Sequence, residues 1–504
     1  MGAVTTLPLL VGCTESIPNP IGAPSDAGDA TVGEGYGSRD GSGDGSGGSL
    51  ADSSGGSSSG GSSGGLPDAS SSSGGSSGGS SSSSGSSGGS PDGAVPYSPD
   101  AAPPAGSFCS LPGSVVWTPQ GPMVIPGSPA APVDITWLRV PTGFCAHYFG
   151  TVKTCRQLKF APGGELFAAS STTGTTGGRD NGIAGIVVMA DDDHDGNADA
   201  NITFLDSLPS VQGLMFANGH FYYQDNTNIR RVPYNKGDRM PSGPSELVTD
   251  MSNWPQASEH WPKVFDQAQD GTIYITNGGS QSDECDSTRT VRGAIVKLND
   301  DGTTSLVAKG FRNPIAIRCE ANHDVCLAVE LALDYSASAA GREKVMPVHQ
   351  GDDWGFPCCA TRDTPYAGTL CVDTGAVPDC SGVAQESAGF IIGHTPFGIA
   401  FETGLWPAPW NGRAYVTLHG DVGTYEGARV VGIAIDPNGM PLPSSELQAD
   451  VDPNNMLEFA TGWDDGRQDH GRPAPIEFAA DGRMFVGDDQ SGAVIWIAPV
   501  NLTP

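Results

Sequence analysis

The stretch PIEFAADGRMFVGDD, residues 475–489, sets two short runs rich in apolar residues on either side of an Asp-Gly pair. Alternation with a period of two is a strand signal, and Asp-Gly or Asn-Gly between two such runs makes a β-hairpin, because the central residues of that turn take positive φ. The same phrase recurs upstream as QLKFAPGGELFAAS (157–170), QGLMFANGHFYYQD (212–225) and KVFDQAQDGTIYITNG (263–278). The stretch opening at Pro314, and FGIAFETG (397–404) running on to NGRAYVTLHG (411–420), bring the instances to six. The first four turns lie about 50 to 55 residues apart, the length of one four-stranded propeller blade. No stretch of helical period competes. The fold class is therefore read as all-β, a six-bladed β-propeller over residues 107–504; a pair of sandwiches would not repeat one hairpin so regularly.

Between the fourth and fifth hairpins the interval grows. It holds HQGDDWGFPCC (349–359) and four clustered cysteines, and a Cys-rich insertion over residues 335–390 is expected to cap one face. Upstream of the propeller the chain reads differently. Residues 1–13 are short and mostly apolar and end in Leu-Val-Gly-Cys, which fits a bacterial lipobox with Cys13 as the acylated residue, although no basic residue precedes it. Residues 14–106 are dominated by Gly and Ser with no apolar periodicity, a composition expected to stay disordered. Such a linker reaches roughly 50 Å as a random coil. The expected product is an exported bacterial lipoprotein on the periplasmic or cell-surface side of a membrane, held there only by its N-terminal lipid.

A net charge of -32 argues against a nucleic-acid partner, which needs clustered Lys and Arg. Apart from Cys13 ten cysteines remain, an even number in a chain that looks exported, and they are expected to pair as disulfides. Cys319 and Cys326 flank a polar turn and are placed to close a hairpin. Zinc is the alternative use, but the histidine spacing is wrong for it.

Two groups of residues carry chemistry. DDDHDGNAD (191–199) puts carboxylates two residues apart with a glycine turn, a pattern that wraps a calcium ion through Asp191, Asp193, Asp195 and Asp199. Ile202 stands where an EF-hand needs its bidentate Glu, so a helix-loop-helix site is excluded. The ion is expected to staple a hairpin between blades. The second group lies at strand mouths: His260 before the third hairpin, Arg312 and Asn313 before the fourth, His419 after the second strand of the fifth, and Arg472 before the sixth. In a propeller these positions converge on one end of the central channel. Histidine serves as a base near neutral pH, and Arg forks read carboxylates, so this mouth suits an anionic, planar ligand.

The ordered motifs HWPK, AIVKLNDDGT, GFRNP, GDDWGFP, HTPFGIAFETG, YVTLHG, TGW and GRPAPIEFAADGRMFVGDD, between about residues 157 and 498, resemble the soluble glucose and sorbosone dehydrogenase family. That resemblance implies a six-bladed propeller using pyrroloquinoline quinone (PQQ) and Ca2+ to oxidise a sugar or a sugar-derived aldehyde, passing electrons to a separate acceptor. It implies His260 as the general base, with Arg312 and Asn313 beside the reactive quinone carbonyl. Arg472, His419, Gln212, Glu330 and Asp489 (or its neighbour Asp488) would hold the cofactor, and the backbone carbonyls of Leu331 and Ala332 the catalytic calcium. Two positions depart from the family. His419 stands where glucose-oxidising members carry Lys, and Leu331-Ala332 replaces a Gly-Pro-like pair. The alternative is a non-catalytic surface propeller that binds a glycan or protein at the same mouth. A metal-dependent lactonase ranks last, since it needs a ring of Glu, Asn and Asp there.

Overall fold

The computed structural model describes residues 105–504 apart from 129–131, 174–181, 253, 255–259, 281, 288–291, 334–340, 422–423, 449–450 and 467–469. Cys13, the lipobox and the Gly/Ser segment up to residue 104 lie outside the described residues, as does part of the insertion.

Six sheets form six blades, each with four antiparallel strands. Blade 1 is Cys155–Phe160, Leu166–Ser170, Gly185–Ala190 and Ala200–Leu205; blade 2 is Leu214–Ala217, His220–Asp225, Asn228–Pro233 and Glu246–Asp250. Blade 3 is Phe265–Gln267, Ile273–Asn277, Ala294–Leu298 and Thr304–Lys309; blade 4 is Asn313–Cys319, Cys326–Leu331, Glu343–Pro347 and Ala388–Phe390. Blade 5 is Pro396–Phe401, Arg413–Leu418, Arg429–Ala434 and Met456–Ala460. Blade 6 takes Pro473–Phe478, Met484–Asp488 and Ala493–Pro499 from the end of the chain, and its fourth strand, Phe144–Thr151, from the start. That splice closes the ring without a free seam. The six inner strands contact one another in chain order, the sixth returning to the first.

The hairpin turns come in two kinds. In the two-residue turn of blade 2, Asn218 and Gly219 both have positive φ (50° and 70°). In blades 3 and 6 only the glycine does, Gly271 at 91° and Gly482 at 90°. There the loop is one residue longer, and the Asp carboxylate accepts from the backbone two residues on: Thr272 N to Asp270 Oδ1 at 2.8 Å, and Arg483 N to Asp481 Oδ1 at 3.0 Å. Asp is thus chosen for its side-chain hydrogen bond rather than for a positive φ.

Apolar clusters fill the spaces between neighbouring blades, for instance Ile315, Leu327, Val329, Phe397, Ile399 and Val416 between blades 4 and 5. Below the mouth, charged side chains of the inner strands meet one another. Arg318 of blade 4 pairs with Glu477 of blade 6 and lies 3.7 Å from Asp266 of blade 3, while Lys159 of blade 1 reaches Glu477 at 3.3 Å. Four inner strands meet in this network.

Two expectations are corrected. The cysteines do not all pair: Cys109–Cys145, Cys285–Cys358, Cys319–Cys326 and Cys359–Cys380 are bridged, but Cys155 and Cys371 remain thiols. Cys155 is buried on the inner strand of blade 1, against Gly487 of blade 6, and Cys371 lies 3.5 Å from the sulfur of Cys285, which is already bonded to Cys358. The Cys-rich insertion also falls inside blade 4, between Pro347 and Ala388, rather than between blades 4 and 5. It still packs at the channel mouth, where Tyr366 lies near Glu330 and Arg312.

Candidate active site

In every blade the first strand leaves the mouth of the channel and the second returns to it, so residues before the first strand and after the second share one end. Gln212, His260, Arg312, Asn313 and Arg472 stand at or just before first strands; Glu330, Leu331, Ala332, His419, Asp488 and Asp489 end or follow second strands. All eleven are thus at the same end.

Their contacts form two groups. In the first, Asp489 accepts from His419 Nε2 and from Arg156 Nη1, each at 2.8 Å, and Arg472 donates to the backbone oxygens of His419 (3.0 Å) and Gly420 (2.8 Å). In the second, His260 Nδ1 donates to Gly279 O at 2.5 Å, and Gly279 N donates to Arg312 O at 2.6 Å. Two glycines allow this approach. A Cβ on Gly278 would stand 2.4 Å from the Cβ of His260, and one on Gly279 would stand 3.0 Å from Phe311 O. Because a carbonyl only accepts, Nδ1 carries the hydrogen and Nε2 is the basic nitrogen of neutral His260. Arg156 links the groups. Its guanidinium lies 4.7 Å from the ring centre of Phe397 and 5.8 Å from that of Trp261, the neighbour of His260.

Arg312 is buried, and its own backbone N–H donates to Glu330 Oε1 at 2.5 Å. Its guanidinium donates to Ala332 O at 2.7 Å and more weakly to Leu331 O at 3.5 Å. Arg312 thus stands on the carbonyls where the family resemblance puts a metal ion, and brings positive charge to them itself. Glu330 is also 3.6 Å from the ammonium of Lys344. Gln212 binds Ile315 O across the channel through Nε2 at 3.1 Å.

Burial decides the protonation here. It lowers His419 to about 4, helped by the charge of Arg472, so the imidazole is neutral and donates to Asp489. Burial alone would raise Asp489, but His419 and Arg156 outweigh it and hold the carboxyl below the usual range. Asp488 lacks such partners; burial and the charge of Asp489 push it up to about 8. The two adjacent carboxyls therefore differ in charge at neutral pH.

The acidic loop lies elsewhere, joining the third and fourth strands of blade 1. Oxygens of Asp191, Asp193 and Asp195 come within 4.8 Å of one another. Asp199 turns inward to accept from Asp192 N at 2.6 Å. The loop is tied to blade 6, since Trp496 Nε1 donates to Gly196 O at 2.9 Å and Ala198 N to Phe149 O at 2.6 Å. Asp191 Oδ1 and Asn197 Oδ1 are buried without a donor among the described residues, which fits a cation there.

Known proteins resemble this chain by shape more than by sequence. The family described as a domain of unknown function (DUF7133) matches residues 136–325, and no curated protein matches. Among solved structures, the iodide structure of the Trichoderma reesei carbohydrate-active enzyme of family AA12 gives a TM-score of 0.58 at 18% identity, covering 72% of this chain and 97% of that one. The calcium structure of the T. reesei AA12 enzyme gives 0.57 at 18%, with 72% and 97% covered. The holo form of the pyranose dehydrogenase PQQ domain from Coprinopsis cinerea gives 0.57 at 16%, with 73% and 98% covered. The chain shares their fold.

Sequence reading missed Arg156 and the Gly278–Gly279 joint. Arg156 directly precedes the first hairpin phrase, as the second residue of blade 1's inner strand. Gly278–Gly279 follows a strand as an unbroken pair, which is the mark of a close backbone approach.

Proposed function

We propose that this protein oxidises a hydroxyl of a sugar, or of a hydrated sugar aldehyde, with PQQ held at the channel mouth. The observation that carries the reading is the concentration of buried cations there. Arg312 and Arg472 are buried, Arg156 nearly so, and Arg156 Nε has no partner among the described residues, all in a chain of net charge -32. Such a mouth fits a compact ligand bearing several carboxylates. Bound there, PQQ would supply the acceptor for the two electrons the substrate gives up.

The chain's own residues supply the rest. Arg472, Arg156 and the neutral His419 that Asp489 orients would bind and orient the cofactor, with Gln212, Asn313 and Glu330 around it. His260 takes the hydroxyl proton at Nε2, the nitrogen left basic by the Gly279 contact. Arg312 stabilises negative charge as it develops on oxygen. No step is assigned to a calcium ion on Leu331 and Ala332, because Arg312 already faces those oxygens. The test is titration of the apoprotein with PQQ. Saturable binding with a shifted quinone absorption, and dye-linked turnover of an aldose or a sorbosone-like aldehyde, are expected; no binding at saturating calcium sinks the reading.

Calcium belongs, in this proposal, to the acidic loop, through Asp191, Asp193, Asp195 and a carbonyl of the turn, with Asp199 bracing the loop. A ligand at a hundred times its Kd stabilises the folded state by about 2.7 kcal/mol. Calcium should therefore raise the Tm of the apoprotein, and Asp193→Ala, at an exposed position, should abolish the rise while leaving the metal-free Tm in place. An equal rise in the variant would show that the ion binds elsewhere.

A further inference from the structure

We propose that Lys263 is a counter-cation for the anionic group bound at the channel mouth, which deepens the quinone reading above and rests on it. Lys263 stands at the start of the inner strand of blade 3, three residues after His260, and its side chain is fully buried. An ammonium has three hydrogens to donate. Lys263 Nζ makes one hydrogen bond, to Trp261 O at 3.3 Å, and pairs with no carboxylate among the described residues.

Three other lysines have carboxylate partners. Lys344 faces Glu330, Lys159 faces Glu477 and Lys309 faces Asp353. A fully buried amine with no carboxylate partner among the described residues is a group the fold has no reason to enclose for its own stability. Desolvation alone lowers it to about 7, with no neighbouring charge offsetting the burial. An anion arriving from outside the chain would restore its charge.

The residue borders the site. Its backbone N–H is held by Gln224 Oε1 at 3.1 Å, and the same oxygen holds Gln212 N at 3.2 Å. Gln224 Nε2 donates to Trp261 O at 3.1 Å, sharing that carbonyl with Lys263, and the Trp261 ring faces Arg156. Lys263 is therefore locked from two sides among residues of blades 2 and 3 that border the mouth.

The test compares wild type with Lys263→Met by calorimetric titration with PQQ and by thermal shift, with citrate as a second tricarboxylate probe. The expected result is PQQ binding roughly 10- to 100-fold weaker in the variant, the range for a charged hydrogen bond, with an apoprotein Tm equal to or above that of wild type. A lysine that only props up Trp261 would give the opposite pattern, a lower apoprotein Tm and unchanged affinity, and would overturn the inference. If wild type is stabilised by citrate but not PQQ, and Lys263→Met loses that gain, Lys263 keeps its role and the quinone is discarded. A wild type stabilised by neither probe overturns both.

Discussion

His260→Ala is expected to lower dye-linked turnover by roughly 10²- to 10⁴-fold, the usual contribution of a general base, while PQQ affinity changes little. The asymmetry follows from the geometry. His260 is held by Nδ1 donating to Gly279 O, a contact that orients the ring, and Gly278 packs against its backbone, which alanine retains. The fold should survive, and near-ultraviolet circular dichroism of the variant should overlay that of wild type. Arg312→Ala is the informative comparison. It too should slow turnover more than it weakens binding, because its charge matters most when negative charge develops on the substrate oxygen. It should also lower the Tm, since it frees the carbonyls of Leu331 and Ala332. A His260→Ala protein with turnover within tenfold of wild type would remove the base from the scheme, whatever the cofactor.

Arg318→Met is expected to destabilise the propeller by about 3 to 5 kcal/mol, the range for stripping one partner from a buried ion network. Arg318 is largely buried, pairs with Glu477, faces Asp266 and donates to Ile399 O at 3.4 Å. Without it Asp266 loses its cation, though it still accepts from Cys319 N at 2.9 Å, and Glu477 keeps only Lys159 at 3.3 Å. The double variant Arg318→Met, Asp266→Asn should recover part of the loss, because it removes the carboxylate left without a cation while the amide oxygen can still accept from Cys319 N. Guanidinium denaturation of both variants under oxidising conditions decides the point. A loss below about 1 kcal/mol in the single variant would mean that water reaches the network and that it behaves as a surface ion pair.

The hairpins were legible because they are local. Turn chemistry at Asn218-Gly219, Asp270-Gly271 and Asp481-Gly482 sits within a few residues of the strands it joins, and its spacing counts the blades. The acidic loop from Asp191 to Asp199 and the Cys319–Cys326 bridge, across a separation of 7 residues, are local in the same sense. The mouth positions of His260, Arg312, His419 and Arg472 followed once the blades were counted, since every blade presents the same points of its strands to one end.

What the sequence could not decide depends on closure of the ring. Arg156 meets Asp489 across 333 residues, and Cys109 meets Cys145 only because the strand Phe144–Thr151 completes the last blade. Which two of ten cysteines stay as thiols, that Asp488 is raised while Asp489 is lowered, that Arg312 turns onto Ala332 O, and that Lys263 is enclosed with no carboxylate partner among the described residues are likewise consequences of burial. Burial is set by the neighbours that the closed ring brings together. Turn chemistry acts over a handful of bonds and is written in consecutive residues; desolvation and ion pairing act through space, and only the tertiary structure says which charges share it.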